Sequence, residues 1–307
     1  MTTPYQQPGY PQAPRPGAPP QQGTPPQHPG PQHGPAPVGG LFGYTSPIPA
    51  RRAHLGDAVT SEWTKIRSVR STMWTLGVMI ALMAGTGLLV AAAVAATGDV
   101  GNQNVLILGF FGVLLGTMCV ITLGVLVIAS EYGTGLIRTT LTACPSRARV
   151  LAAKSLVFFL LVFVVSTVTT LVVGALQVAV LDGRSPTGDE WLSSTVGVSL
   201  YLALLGLLSL AVGALIRHSA GAITVMIGVV LLPLVMAIFM FSESLASLRE
   251  ALFTYSIPAQ LAVFYGSDVS LDTAASGPQG WEPLWIMLGV TAVAMAGAFF
   301  SLDRRDV

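Results

Sequence analysis

Six stretches of the chain carry no Asp, Glu, Lys or Arg, at about 74–97, 105–129, 155–181, 196–216, 222–241 and 284–302. At a rise of about 1.5 Å per residue, each is long enough as a helix to cross a hydrocarbon core of about 30 Å. The pattern predicts an all-α polytopic membrane protein with six transmembrane helices. Ahead of the first stretch, Leu55, Val59, Trp63, Ile66, Val69 and Met73 recur at three- and four-residue spacing, with Asp57, Glu62, Lys65, Arg67 and Arg70 elsewhere around the helix. That spacing predicts an interfacial N-terminal helix lying in the headgroup layer. Trp63 and the basic residues Lys65, Arg67 and Arg70 would sit among headgroups, with the apolar stripe turned to acyl chains.

Between the second and third spans, positions 130–154 read SEYGTGLIRTTLTACPSRARVLAAK. Thr134 is placed to cap a short helix bearing Leu136, Ile137, Thr140 and Leu141 on one side. Pro145 stops it, because the ring lacks an amide donor and disfavours helical geometry in the residue before it. Ser146 is placed to cap the extension of span three. A compact helical knob is expected here. Between spans five and six, Leu245, Leu248, Leu252 and Phe253 form a helical stripe after Ser242, and Tyr255, Pro258, Phe264 and Tyr265 mark a kinked interfacial stretch.

Residues 1–53 have the opposite texture. Pro, Gln and Gly dominate, and too few apolar groups are present to offset the entropy of ordering, so a disordered Pro/Gln/Gly-rich tail is expected, followed by a six-span domain over 54–307. The tail has no basic start followed by an apolar core, so it does not read as a signal peptide.

Charge gives the orientation. Of the 15 Lys and Arg, all but Arg184 and Arg249 fall in the tail, on connections of one face or after the last span. Basic loops are retained on the cytoplasmic side, which predicts cytoplasmic termini and a cytoplasmic knob in a multi-pass protein of the cell membrane. At 52% hydrophobic and 9% charged residues, with a mean hydropathy of +0.69, the composition is far from that of soluble domains, and no nucleic-acid partner is expected.

Catalytic chemistry has little to stand on. Cys119 lies in span two and Cys144 in the knob, His54 and His218 are isolated, and no clustered Asp, His or Ser groups suggest an active site or a metal site. No Asp, Glu, Lys, Arg or His lies within the six stretches, which argues against a proton-coupled carrier. The strongest polar side chain there is Gln177, expected to hydrogen-bond between helices. Gly85, Gly87, Gly109, Gly112, Gly116, Gly124, Gly206 and Gly213 are expected to let helix backbones approach closely.

The run Glu131-Tyr132-Gly133, followed by Gly135-Leu136-Ile137-Arg138-Thr139-Thr140-Leu141 and Pro145-Ser146-Arg147, resembles the type-2 ABC exporter permeases. So does Glu62-Trp63-Thr64-Lys65-Ile66-Arg67-Ser68 before span one, and the likeness is to the actinobacterial members in particular. It covers roughly residues 55–307. The resemblance implies that the knob is a coupling helix docking on a cytoplasmic ABC ATPase subunit, with Glu131, Tyr132, Gly133, Ile137, Arg138, Thr139, Thr140 and Pro145 as the coupling residues. It also implies a dimer with a second permease copy or homologue, surrounded by membrane lipids, and short re-entrant helices before the last span. No G-x-x-x-x-G-K-[ST] loop occurs, so ATP and Mg are expected on the partner ATPase, with no cofactor on this chain. The expected function is export of an amphipathic or apolar molecule, a lipid, peptide or drug. A non-transporting scaffold working through the tail is the alternative, and an ion-coupled carrier is the weaker one.

Overall fold

The computed structural model describes residues 54–97, 104–143, 146–181, 183–266 and 277–304. The tail, Cys144 and Pro145 lie outside the described residues. Among the described residues every regular element is a helix and no strand is formed. Six segments are long and apolar enough to cross a membrane: Arg70–Ala96, Val105–Thr134, Arg147–Val180, Gly188–Ile216, Ser219–Phe239 and Glu282–Arg304. These are the six expected spans, several extended at their ends. The third begins at Arg147 rather than at 155, because Arg147, Arg149 and Lys154 continue the helix. Inside a bilayer the backbone must satisfy its own polar groups, so even the Val-rich stretches of this segment are held helical.

In chain order, α1 (Leu55–Ser68) and α2 (Arg70–Thr97) are separated by one extended residue, Val69. A 3-10 turn (Val105–Gly109) leads into α3 (Phe110–Thr134), followed by the short α4 (Leu136–Ala143) and the 34-residue α5 (Arg147–Val180). After α6 (Gly188–Leu192), a π-helical turn (Ser193–Gly197) runs directly into α7 (Val198–Ile216), and α8 (Ser219–Phe239) carries Pro233. Two short helices, α9 (Ala246–Thr254) and α10 (Ile257–Val263), precede α11 (Glu282–Arg304). Alternating helix directions put α1, α4, the α7–α8 turn and the end of α11 at one end of the bundle, and α6, α9 and α10 at the far end.

The core forms where α3 and α7 pack together, with Val120, Ile121, Leu123, Val125, Tyr201, Leu202, Leu205 and Leu210 fully buried. Glycine makes that packing close. A Cβ on Gly112 would overlap the Met83 carbonyl of α2, and one on Gly124 would overlap the Gly206 carbonyl of α7. Gly87, Gly116, Gly206 and Gly213 also lie against neighbouring chain, whereas Gly109 has only ordinary contacts and Gly85 faces open space. The expectation of close approach therefore fails at Gly85, since sequence spacing alone does not say which face of a helix is inward.

Gln177 of α5 donates to the Gly87 carbonyl of α2 at 3.0 Å, an interhelical bond of the kind expected. The segment before α11 folds back into the bundle. Ser256 caps α10 by accepting from the Ala259 amide, Pro258 sits in its first turn, and Ile257, Leu261, Ala262, Phe264 and Tyr265 are buried. The Tyr201 hydroxyl donates to Gln260 Oε1 at 3.3 Å, and Phe264 packs between the Tyr201 and Trp281 rings.

The α3–α4 corner departs from the sequence reading. Thr134 does not cap α4: it is the last residue of α3, its hydroxyl donates back to the Ser130 carbonyl, and the break falls at Gly135 in left-handed geometry (φ 72°). Glycine takes that conformation without the Cβ clash other residues meet. Ser146 does precede α5 with extended backbone, but its hydroxyl makes no capping bond.

Candidate functional site

The inward stripe of α1 is Ala58, Val59, Glu62, Lys65 and Ile66, with Glu62 and Ile66 fully buried. It is rotated from the apolar stripe read in the sequence. Of that stripe, Val59 and Ile66 turn inward, while Leu55, Trp63, Val69 and Met73 stand about half exposed on the outer face. On α5, Val150, Leu151, Lys154, Val157 and Phe158 form a second inward stripe, and Lys154 at its centre is only 2% exposed. The two stripes meet. Glu131, near the end of α3, completes the cluster.

Lys154 Nζ donates to Glu62 Oε2 at 2.6 Å and to Glu131 Oε1 at 2.8 Å. Lys65 Nζ, at the rim, reaches Glu62 Oε1 at 2.7 Å, Glu131 Oε1 at 3.2 Å and the Thr140 hydroxyl of α4 at 3.3 Å. Two carboxylates and two ammoniums thus cancel in net charge while joining α1, α3, α4 and α5. An isolated charge in such a place costs several kcal/mol, and only mutual pairing with good geometry offsets it. Burial by itself would raise the Glu62 pKa, but Lys154 and Lys65 outweigh it and hold the carboxyl below its ordinary value. Burial would likewise lower Lys65, and the two glutamates outweigh that and raise it. Glu131 Oε2 is buried without a hydrogen-bond partner among the described residues.

Around the network, the Arg217 guanidinium lies 5.1 Å from the Tyr132 ring centroid, a cation–π contact joining the α7–α8 turn to α3. Arg147 donates to the Leu302 carbonyl, joining α5 to the end of α11. The whole end of the bundle carrying α4 is therefore tied by polar contacts, in contrast to the apolar packing of its middle.

Of the residues singled out in the sequence, the structure brings Glu131, Lys65 and Thr140 into this one network. Tyr132 adjoins it through Arg217, and Ile137 is buried on the inner side of α4. Gly133 and Thr139 are exposed, Arg138 lies within α4, and Trp63, Arg67 and Arg70 face outward. Two members were missed. Glu62 is set apart from the apolar stripe of α1 in the sequence reading, and Lys154 is counted there only among the basic residues of one face. The signal was present in both cases: each falls at three- or four-residue spacing within a stripe of apolar residues, where an ordinary surface charge does not belong.

A six-span helical bundle with a short helix anchored by buried charges between its second and third spans defines a multi-pass membrane protein. Residues 54–307 match the family described as ABC-2 family transporter protein, and the chain belongs to that family. It is therefore the permease component of an ABC transporter, a membrane transport part that works with an ABC ATPase subunit. No curated protein matches it.

Proposed function

We propose that this permease exports an amphipathic or apolar molecule, and that ATP hydrolysis on the partner subunit drives it through α4. The observation that carries the reading is the buried network, which links α4 to the bases of three longer helices, α1, α3 and α5. A push on α4 would be shared by those helices instead of being absorbed in a flexible loop. Glu131, Tyr132, Gly133, Ile137, Arg138, Thr139, Thr140 and Pro145 form the ATPase-coupling region on this reading, with ATP and Mg held by the partner. The basic end faces the cytoplasm of a cell membrane, as the distribution of Lys and Arg supports. Trp63, Arg67 and Arg70 on the outer face of α1 then meet inner-leaflet headgroups. A second permease copy or homologue completes the path, and spans lined by Leu, Val, Ala, Gly and Phe suit a lipid, peptide or drug with large apolar surface.

The test is to replace Glu131 or Arg138 with Ala and reconstitute the permease with its ATPase. Substrate-stimulated hydrolysis is expected to fall at least about tenfold for either variant, the loss of roughly one charge-assisted contact. Unchanged assembly and unchanged stimulated turnover in both would remove the coupling role.

A further inference from the structure

At the far end of the bundle a small pocket lies where α2, α3, α5, the 3-10 turn, the π-helical turn and the segment after α10 converge. Its volume is about 20 Å³, and its polar lining comes from Thr169, Thr170, Gln177, Ser194 and Tyr265. A site of this kind needs roughly 10–15 Å³ and two to four polar partners to hold a water. Both conditions are met here.

Two of the lining groups stand out. Gln177 is 1% exposed, and while its amide nitrogen is used on Gly87, its Oε1 has no hydrogen-bond donor among the described residues. Tyr265 is 5% exposed, and its hydroxyl has no hydrogen-bond partner among the described residues, although its ring packs edge-on against Phe110. Both atoms converge on Gly109: a Cβ built there would stand 3.7 Å from Tyr265 Oη and 3.8 Å from Gln177 Oε1. Thr169, Thr170 and Ser194 spend their hydroxyl protons on helix carbonyls but keep lone pairs free to accept. Four acceptors and one unused phenol donor thus surround a space about one water across.

We propose that this pocket is a water-binding site, in which a single water accepts from the Tyr265 hydroxyl and donates to Gln177 Oε1, clasping the α10 segment to α5. The clasp supplements the Tyr201–Gln260 bond, which holds the same segment to α7. A water-mediated bond is nearly as good enthalpically as a direct one. It can also be remade after the segment swings away, with no apolar packing to restore. The site is independent of the ATPase reading, since neither residue touches the end of the bundle that carries α4.

The test uses the full chain in lipid nanodiscs. X-ray hydroxyl-radical labelling, which marks side chains beside bound water, is expected to modify Tyr265 well above the level of Tyr201, which is also buried but lies outside the pocket. Tyr265→Phe removes the donor. Gly109→Ala adds a methyl at ordinary contact distance, in backbone geometry that suits alanine (φ −70°, ψ −20°), and fills the place of the water. Both variants are expected to speed amide exchange across residues 257–265 by about three- to tenfold, the worth of one hydrogen bond. A packing role alone predicts no change, or slower exchange, for Gly109→Ala. Labelling of Tyr265 no greater than that of Tyr201, or unchanged exchange in both variants, overturns the proposal.

Discussion

Lys154 is the residue on which the end of the bundle carrying α4 depends most. It is the buried one of the two lysines, and it bonds both carboxylates. Replacing it with Met keeps the length of the side chain but leaves Glu62 and Glu131 sharing Lys65 alone. Breaking a buried pair from one side costs about 3–5 kcal/mol, a fall in apparent melting temperature of roughly 10 °C for a domain of this size. Adding Glu62→Gln to Lys154→Met is expected to recover part of that loss, because the uncompensated charge is removed with it. Scanning fluorimetry in detergent reads both. The same melt followed against pH has a defined sign. Glu62 is held below its ordinary 4.5, so its contribution is in place above about that pH and is lost as acid titrates through the lower folded value. Lys65 is held above its ordinary 10.5, so its contribution is in place below that and is lost as pH rises through the higher folded value. A plateau between about pH 5 and 10 is therefore expected from this pair.

For the helices as elements, glycine separates packing from tolerance. Gly112→Ala and Gly124→Ala each drive a methyl into a neighbouring carbonyl, and a backbone cannot give way as a flexible side chain does. Each is expected to cost about 1–3 kcal/mol. Gly85→Ala meets nothing within 4 Å and is expected to be neutral or slightly stabilising. Thermal unfolding of the three variants side by side checks the contrast. The same contrast shows what a sequence can and cannot reveal. The six spans were legible because an absence of charge over twenty residues is a local fact with a direct physical meaning. The interhelical role of Gln177 was legible because an amide inside an apolar span must find a partner. Gly85 was misjudged, and so was the cap at Thr134, because both depend on which way a helix faces or ends. The pairing of Glu62 with Lys154 joins residues 92 positions apart, and no periodicity within one helix names the helix opposite.

For the molecule as a whole, the two ends differ in kind. One is cross-tied by charge. The other is closed by the buried α10 segment with its aromatic contacts. Orientation in the membrane follows from the charge bias and is directly measurable. In a chain with Cys119 and Cys144 replaced by Ala, a cysteine at the exposed position Thr139 is expected to react with an impermeant maleimide only after cells are opened. One at the exposed position Ser185 is expected to react in intact cells. The reverse pattern would turn the proposed transporter upside down and remove the ATPase from reach of α4.

α5 runs unbroken and free of proline from Arg147 to Val180, carrying Lys154 near one end and Gln177 near the other, about 35 Å apart along the axis. Each residue advances a helix by about 100°. Gaining or losing one residue between these two positions would swing one of them away from its neighbours even if every side chain were kept. The rod is keyed like a shaft, so its register between the two keys is less free to drift than the identity of the lipid-facing residues along it.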